Sequence, residues 1–137
     1  MSNSATFWHE NNSIEVLTTP DGVITEWLEN KLSEASRESY GKSLRYFFCD
    51  TTGTIPTPDA VRWFLALSEQ QALGLMLKWR SHMQHTLKLS PKSINARESA
   101  VRSFVQHARK RGLTQLALKD LGSLKAQVYR DVSGIDA

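Results

Sequence analysis

The segment from Leu89 to Gly112 carries the most restrictive pattern in the sequence, the signature of one long amphipathic helix. Ser90 and Pro91 provide an N-cap and a first-turn proline, and Leu89 with Ile94 has the spacing of a hydrophobic staple. Three basic residues precede Gly112, where positive charge offsets the helix dipole and glycine allows the helix to end. Its apolar stripe, which needs a packing partner, is Ile94, Val101, Phe104, Val105 and Ala108.

Two further helices are predicted before residue 53. The pair Thr19-Pro20 offers a cap and a first-turn proline for a first helix that ends near Lys31. A break follows at residues 33–35, after which Ser36 is predicted to cap a second helix. One face of that helix is apolar and consists of Tyr40, Leu44, Phe47 and Phe48.

The middle of the chain predicts two more helices. Thr57-Pro58-Asp59 combines an N-cap, a proline and a first-turn acid, and Ser68 with Gln71 has the form of a capping box. The inner stripe of the second of these helices is Ala72, Leu75, Met76, Trp79 and Met83. The tryptophans fall mainly on apolar faces and are interpreted as core residues. Since no segment alternates with period two, the sequence predicts an all-α fold, a small orthogonal bundle of four or five helices.

The composition bounds the domain organisation and the class of protein. Residues 1–18 are predicted to form a polar tail, 19–128 a helical domain onto which the leucines after Gly112 pack, and 129–137 an exposed connector. No apolar run reaches the roughly 18 residues of a membrane span. A single cysteine, Cys49, excludes an internal disulfide and agrees with a reducing compartment, so a cytoplasmic protein is expected. Because Cys49 follows Tyr46, Phe47 and Phe48, its thiol is expected to be buried.

No catalytic, metal or cofactor site is predicted. The sequence has no Gly-rich phosphate loop, no cysteine pair and no nucleophile elbow, so we expect no small-molecule substrate. His82 and His85 lie three residues apart, but a third ligand is not evident nearby. A small helical enzyme that uses this pair is kept as a remote alternative.

Charge is divided unevenly along the chain. Residues 1–69 have a net charge of −5, and residues 70–137 have a net charge of +8. Between Lys78 and Arg111 there are nine basic residues and one acid, Glu98. Such a density favours a polyanionic partner, although basic helix faces are also common in proteins that bind no nucleic acid.

Polar and basic residues form a stripe along one side of the long helix. Its members recur at helical spacing and can bond phosphates and base edges, and a helix fits the major groove of DNA. Lys92 and Arg97 flank the stripe, and the second predicted helix has a smaller companion face at Ser39, Lys42 and Arg45. The stripe itself consists of Asn95, Ser99, Arg102, Gln106 and Arg109.

Two segments and the end of the chain resemble one family. SRESYGKSLRYFF is similar to a second-helix pattern, and LSPKSINARESAVRSFVQHARKRGL is similar to a Leu-Ser-x-x-Thr-Ile-Asn run that ends in Ala-x-x-x-Gly. LKAQVYRDVSGI looks like a connector to a catalytic domain. Together, over roughly residues 22–135, they resemble the core-binding, or SAM-like N-terminal, domain of tyrosine recombinases of the phage integrase family. Ser93 stands where that family usually has threonine, and Glu98 where leucine is common.

The resemblance implies a domain that binds one face of a recombination half-site in double-stranded DNA while a catalytic domain, absent from this sequence, binds the other face. Other recombinase protomers are the implied protein partners of the full-length enzyme, and this chain alone should not cleave DNA. Tyr40, Tyr46 and Tyr129 are interpreted as packing or connector residues. The alternative is a stand-alone helical protein-interaction module without DNA-binding activity. The residues expected to contact DNA are Lys42, Arg45, Lys92, Asn95, Arg97, Ser99, Arg102 and Arg109.

Overall fold

The computed structural model describes residues 22–31 and 33–124, and this part of the chain contains five α-helices and no strand. The predicted all-α bundle is therefore confirmed. The predicted tail, the Thr19-Pro20 cap and the connector at 129–137 lie outside the described residues. The helices are α1 (Val23–Glu29), α2 (Glu34–Thr52), α3 (Pro58–Leu65), α4 (Glu69–Ser81) with a π-helical turn at His82–Thr86, and α5 (Pro91–Lys110).

Side-chain caps fix where the helices begin. The predicted capping box of α4 is present, because the Ser68 hydroxyl accepts from the Gln71 N–H and the Gln71 side chain accepts from the Ser68 N–H. Ser90 caps α5 as predicted. The predicted cap of α2 is wrong: Ser33, with extended backbone, accepts from the N–H of Ser36 at 3.0 Å, so the break before α2 is shorter than the sequence indicated.

The core lies between α2 and α5, which form the most extensive helix pair of the structure. The predicted stripe of α5 is fully buried, as are Leu44, Phe47 and Phe48 of α2. Residues 113–124, here called the C-terminal segment, pack back on the bundle as expected through Leu116, Leu118 and Leu121. The α5 stop is also as predicted, since Gly112 has φ +76° just beyond the helix.

Two side chains expected in the core are exposed. Trp63 is 46% exposed, whereas Trp27 and Trp79 are buried. Cys49 is exposed although it follows two buried phenylalanines. Successive helix positions are about 100° apart, so Cys49 lies about 200° around α2 from the buried Phe47 and points away from the core. The interpretation of Cys49 as a buried thiol was therefore wrong.

α1 is held against α5 by polar contacts at the edge of the core. The Trp27 indole N–H donates to the Ser103 hydroxyl at 2.9 Å, and Lys31 Nζ donates to the same oxygen at 3.0 Å. The Lys31 ammonium also lies 4.4 Å from the ring centroid of Tyr40 on α2. Burial lowers the pKa of Lys31 below its ordinary value. One lysine thus joins three helices.

The middle of the C-terminal segment is anchored by Glu69, the first residue of α4. The two carboxylate oxygens accept from the N–H groups of Ala117 at 2.8 Å and Lys119 at 2.9 Å. The hydrogen bond from Ala117 lowers the pKa of this carboxyl below its ordinary value of 4.5. The bonds to the charged form therefore contribute stability above the ordinary pKa, and this contribution is lost as the pH falls through the lowered pKa.

We expect the Glu69→Gln variant to depend less on pH than the wild type. From pH 7 to pH values below the lowered pKa, the free energy of unfolding of the wild type should fall by more than that of the variant. Urea denaturation at a series of pH values measures both. Glu34→Gln is the matched control, because Glu34 holds the same first position in α2 and is exposed. Equal pH dependence of wild type and Glu69→Gln would contradict the anchoring role.

The part of the chain that the structure describes holds neither a metal-binding cluster nor a membrane-spanning helix. No group of three or more metal-binding side chains occurs there, so His82 and His85 gain no third ligand. None of the helices in residues 22–31 and 33–124 has the length and apolar character of a membrane span.

Candidate DNA-binding face

The outward surfaces of α2 and α5 meet at a contact between Tyr46 and Arg97. The guanidinium carbon of Arg97 lies 4.0 Å from the centroid of the Tyr46 ring. Lys42 is one turn before Tyr46 on α2, and Ser93 is one turn before Arg97 on α5, so each shares a helix side with its neighbour. We call the surface formed by Ser39, Lys42, Tyr46, Ser93 and Arg97 the α2–α5 face.

On α2, the structure places the predicted DNA-contacting residues differently. Lys42 and Ser39 are exposed, whereas Arg45 is half-buried. Tyr46, which the sequence analysis interpreted as a packing or connector residue, is 41% exposed and belongs to the α2–α5 face. Its spacing of four residues from Lys42 is the sequence signal that could have placed it there.

On α5, the predicted set divides into an outward group and a group that contacts the C-terminal segment. Lys92, Ser99 and Arg109 are exposed, and Lys92 and Ser99 lie two helical turns apart on one side. Asn95 instead makes two hydrogen bonds with Leu124: its amide donates to the carbonyl and its oxygen accepts from the N–H, each at 2.9 Å.

Arg102 is the second predicted residue that lies against the C-terminal segment. Its Nη1 donates to the Leu121 carbonyl at 3.4 Å, and its Nε and Nη2 are buried without a partner in the described structure. Asn95 and Arg102 therefore hold the segment on α5, whereas Lys92, Ser99 and Arg109 are open to solvent. The structure does not bring the eight predicted residues onto one continuous surface.

The single acid of the basic region does not neutralise the α2–α5 face. Glu98 is completely buried and accepts two hydrogen bonds from Arg80, one of them from Nε at 2.8 Å. This bond raises the pKa of the Arg80 guanidinium above its ordinary value. Arg111 is paired with Glu26 at 3.0 Å. Within residues 22–31 and 33–124, Lys42, Lys92 and Arg97 form no ion pair.

The arrangement suits an extended anion. Lysine and arginine side chains neutralise phosphates, and serine hydroxyls donate hydrogen bonds to them. A helix fits the major groove, and two adjacent helices can present their polar sides to the same stretch of duplex. The face can therefore bind a polyanion, because its two cations, Lys42 and Arg97, form no ion pair with any residue that the structure describes.

Comparison with known proteins identifies relatives of one kind. The chain is 38% identical over 113 residues to a tyrosine recombinase of Synechocystis sp. and 31% identical over 112 residues to a tyrosine recombinase of Synechococcus elongatus. Each match covers 82% of this chain but only 36% and 35% of those proteins. The chain thus spans about a third of the length of the curated relatives it matches.

The other two comparisons add no relatives. No family model matches the chain, and no solved structure gives a significant match. The two recombinases align along most of this chain, and both carry the same family name. On this similarity, the chain belongs to the tyrosine recombinase family.

Proposed function

We propose that this chain is the DNA-binding, core-binding domain of a site-specific tyrosine recombinase and binds one face of a recombination half-site. The observation that carries the proposal is the α2–α5 face, a polar surface whose cations Lys42 and Arg97 form no ion pair within residues 22–31 and 33–124. The chain that carries this face is similar to tyrosine recombinases. Strand cleavage and assembly with other protomers are assigned to the rest of the recombinase, because the match covers only 36% of the first relative.

In this proposal the predicted residues have two roles. Lys42, Lys92 and Arg109 neutralise phosphates, and the exposed Ser99 donates a hydrogen bond to the backbone of the duplex. Asn95 and Arg102 are positioning residues that hold the C-terminal segment beside the exposed side of α5. Arg45 is half-buried on α2, and the proposal gives it no role in DNA contact.

The test removes two exposed charges, that of Lys42 on the α2–α5 face and that of Lys92 on the side of α5 that carries Ser99. For Lys42→Gln/Lys92→Gln, the logarithmic salt dependence of duplex affinity should fall by about 2, because each phosphate contact contributes about 0.9 to the slope. Affinity at low salt should fall with it. Fluorescence anisotropy of a labelled duplex, titrated with the chain at several salt concentrations, measures both quantities.

The matched control is Lys78→Gln/Lys119→Gln, which removes the same charge from exposed lysines on α4 and in the C-terminal segment. It should keep the wild-type slope. Equal losses in both variants would show attraction by net charge alone and would contradict a localised face. Cys49, exposed on α2, gives a second readout, since bound duplex should slow its alkylation by a maleimide if α2 lies against DNA.

The protein-interaction alternative is favoured by one observation. Trp63 is 46% exposed and lines a cavity of about 370 Å³ together with Asp59 and several threonines of the α2–α3 region. Exposed aromatic side chains beside a pocket are typical of protein-binding sites. Absence of binding to any duplex, even at low salt, would favour this alternative.

A further inference from the structure

The contact between Arg97 and Tyr46 restricts an arginine on the α2–α5 face. The guanidinium lies over the ring at 4.0 Å, and the Arg97 side chain is half-buried. A cation over an aromatic face gains electrostatic and stacking energy, and a flat guanidinium loses orientational freedom there. The contact joins α5 to α2, so the arginine is held from two helices.

The stacked guanidinium still has donors to offer. Within residues 22–31 and 33–124, no side chain or carbonyl accepts a hydrogen bond from Arg97. Stacking uses the face of the guanidinium and leaves the N–H groups at its edge available. Arg80 differs, because its donors are occupied by Glu98 and the Gly122 carbonyl. The Arg97 guanidinium is therefore held in one orientation, while its N–H donors have no acceptor among the described residues.

The position of Arg97 fits a base contact better than a phosphate contact. Lys42 and Lys92 are exposed lysines on α2 and α5, and such long, mobile ammonium groups suit phosphates. A planar arginine held at the junction of the two helices presents a fixed pair of donors instead. In the major groove, guanine offers O6 and N7 as a matching pair of acceptors, which no other base does.

Resting on the proposed function, we propose that Arg97 reads a guanine in the major groove and that Tyr46 is the positioning residue that holds its guanidinium. The chain should therefore prefer guanine at one position of its half-site. That preference should depend on the ring of Tyr46 rather than on its hydroxyl.

The experiment is selection from a randomised duplex pool by the full chain and its variants. The wild type should enrich one G·C pair by about 5- to 150-fold over the other pairs, the range of one bidentate contact. Arg97→Lys should lose that preference while keeping its affinity for duplexes that lack the guanine, because lysine retains the charge without the planar pair of donors. Tyr46→Leu should lose it as well, and Tyr46→Phe should retain it.

A modified base tests the contact directly. Replacing the selected guanine with 7-deazaguanine removes the N7 acceptor, which should weaken wild-type binding by about 5-fold or more and leave Arg97→Lys unchanged. Equal thermal midpoints across the variants confirm that all of them fold.

The outcomes separate the two proposals. If the wild type binds no duplex, both the proposed function and the guanine contact of Arg97 are wrong. If it binds duplex without a guanine preference, or if Arg97→Lys weakens all sequences equally, the proposed function stands and Arg97 contacts phosphate. An unchanged preference in Tyr46→Leu overturns the positioning role of the tyrosine.

Discussion

Replacement of Arg80 with alanine should lower the free energy of unfolding by about 3–5 kcal/mol. The variant leaves the Glu98 carboxylate completely buried without the guanidinium that donates two hydrogen bonds to it. An unpaired buried charge is expensive because the low-dielectric interior does not replace its lost hydration. The total free energy of unfolding of a small domain is about 5–15 kcal/mol, so urea denaturation should measure the loss directly.

The double variant Arg80→Met/Glu98→Leu is the informative control. It removes both charges and fills the space with apolar groups, and buried ion pairs replaced in this way often cost little or even gain stability. Glu98→Leu alone should cost less than Arg80→Ala, because the Arg80 side chain is 15% exposed and can reach water. A double variant as unstable as Arg80→Ala would show that shape, rather than charge burial, dominates at this site.

The helices were predictable because their signals are local. Caps, first-turn prolines and apolar stripes lie within a few residues of each other, so Ser90, Pro91 and Gly112 define α5 from sequence alone. The cap of α2 was misassigned: the sequence analysis placed it at Ser36, whereas in the structure Ser33 caps the helix and its hydroxyl accepts from the N–H of Ser36. Cys49 and Trp63 were misassigned because apolar type was given more weight than position on the helix.

The candidate site was predictable only in part, because its surfaces depend on contacts between distant segments. Helical spacing groups Asn95, Ser99 and Arg102 on one side of α5. It cannot show that the C-terminal segment packs there and that residues 121 and 124 accept hydrogen bonds from Arg102 and Asn95. The partner of Glu98 is equally remote in sequence, at Arg80. Tyr46 was missed because an aromatic residue in an amphipathic helix is more often packed than exposed.

Replacement of Phe47 with alanine should destabilise the bundle by about 3–5 kcal/mol, the usual cost of removing a fully buried aromatic ring. Phe47 is completely buried, and its ring centroid lies 5.0 Å from those of Phe64 and Trp79 and 5.1 Å from that of Phe48. The cavity would therefore open where α2, α3 and α4 meet. Urea denaturation followed by circular dichroism measures the loss.

Trp63→Ala is the matched control, since it removes a larger aromatic side chain from α3 at a position that is 46% exposed. Its effect should stay within about 0.5 kcal/mol, because surface substitutions leave little cavity behind. A Trp63→Ala loss as large as that of Phe47→Ala would mean that the tryptophan is covered in solution, which would favour a folded partner or chain segment over its cavity. A small loss of unfolding free energy in Trp63→Ala would mean that Trp63 contributes little to stability and is available for binding. The aromatic cluster around Phe47, in contrast, holds α2 in the position that the α2–α5 face requires.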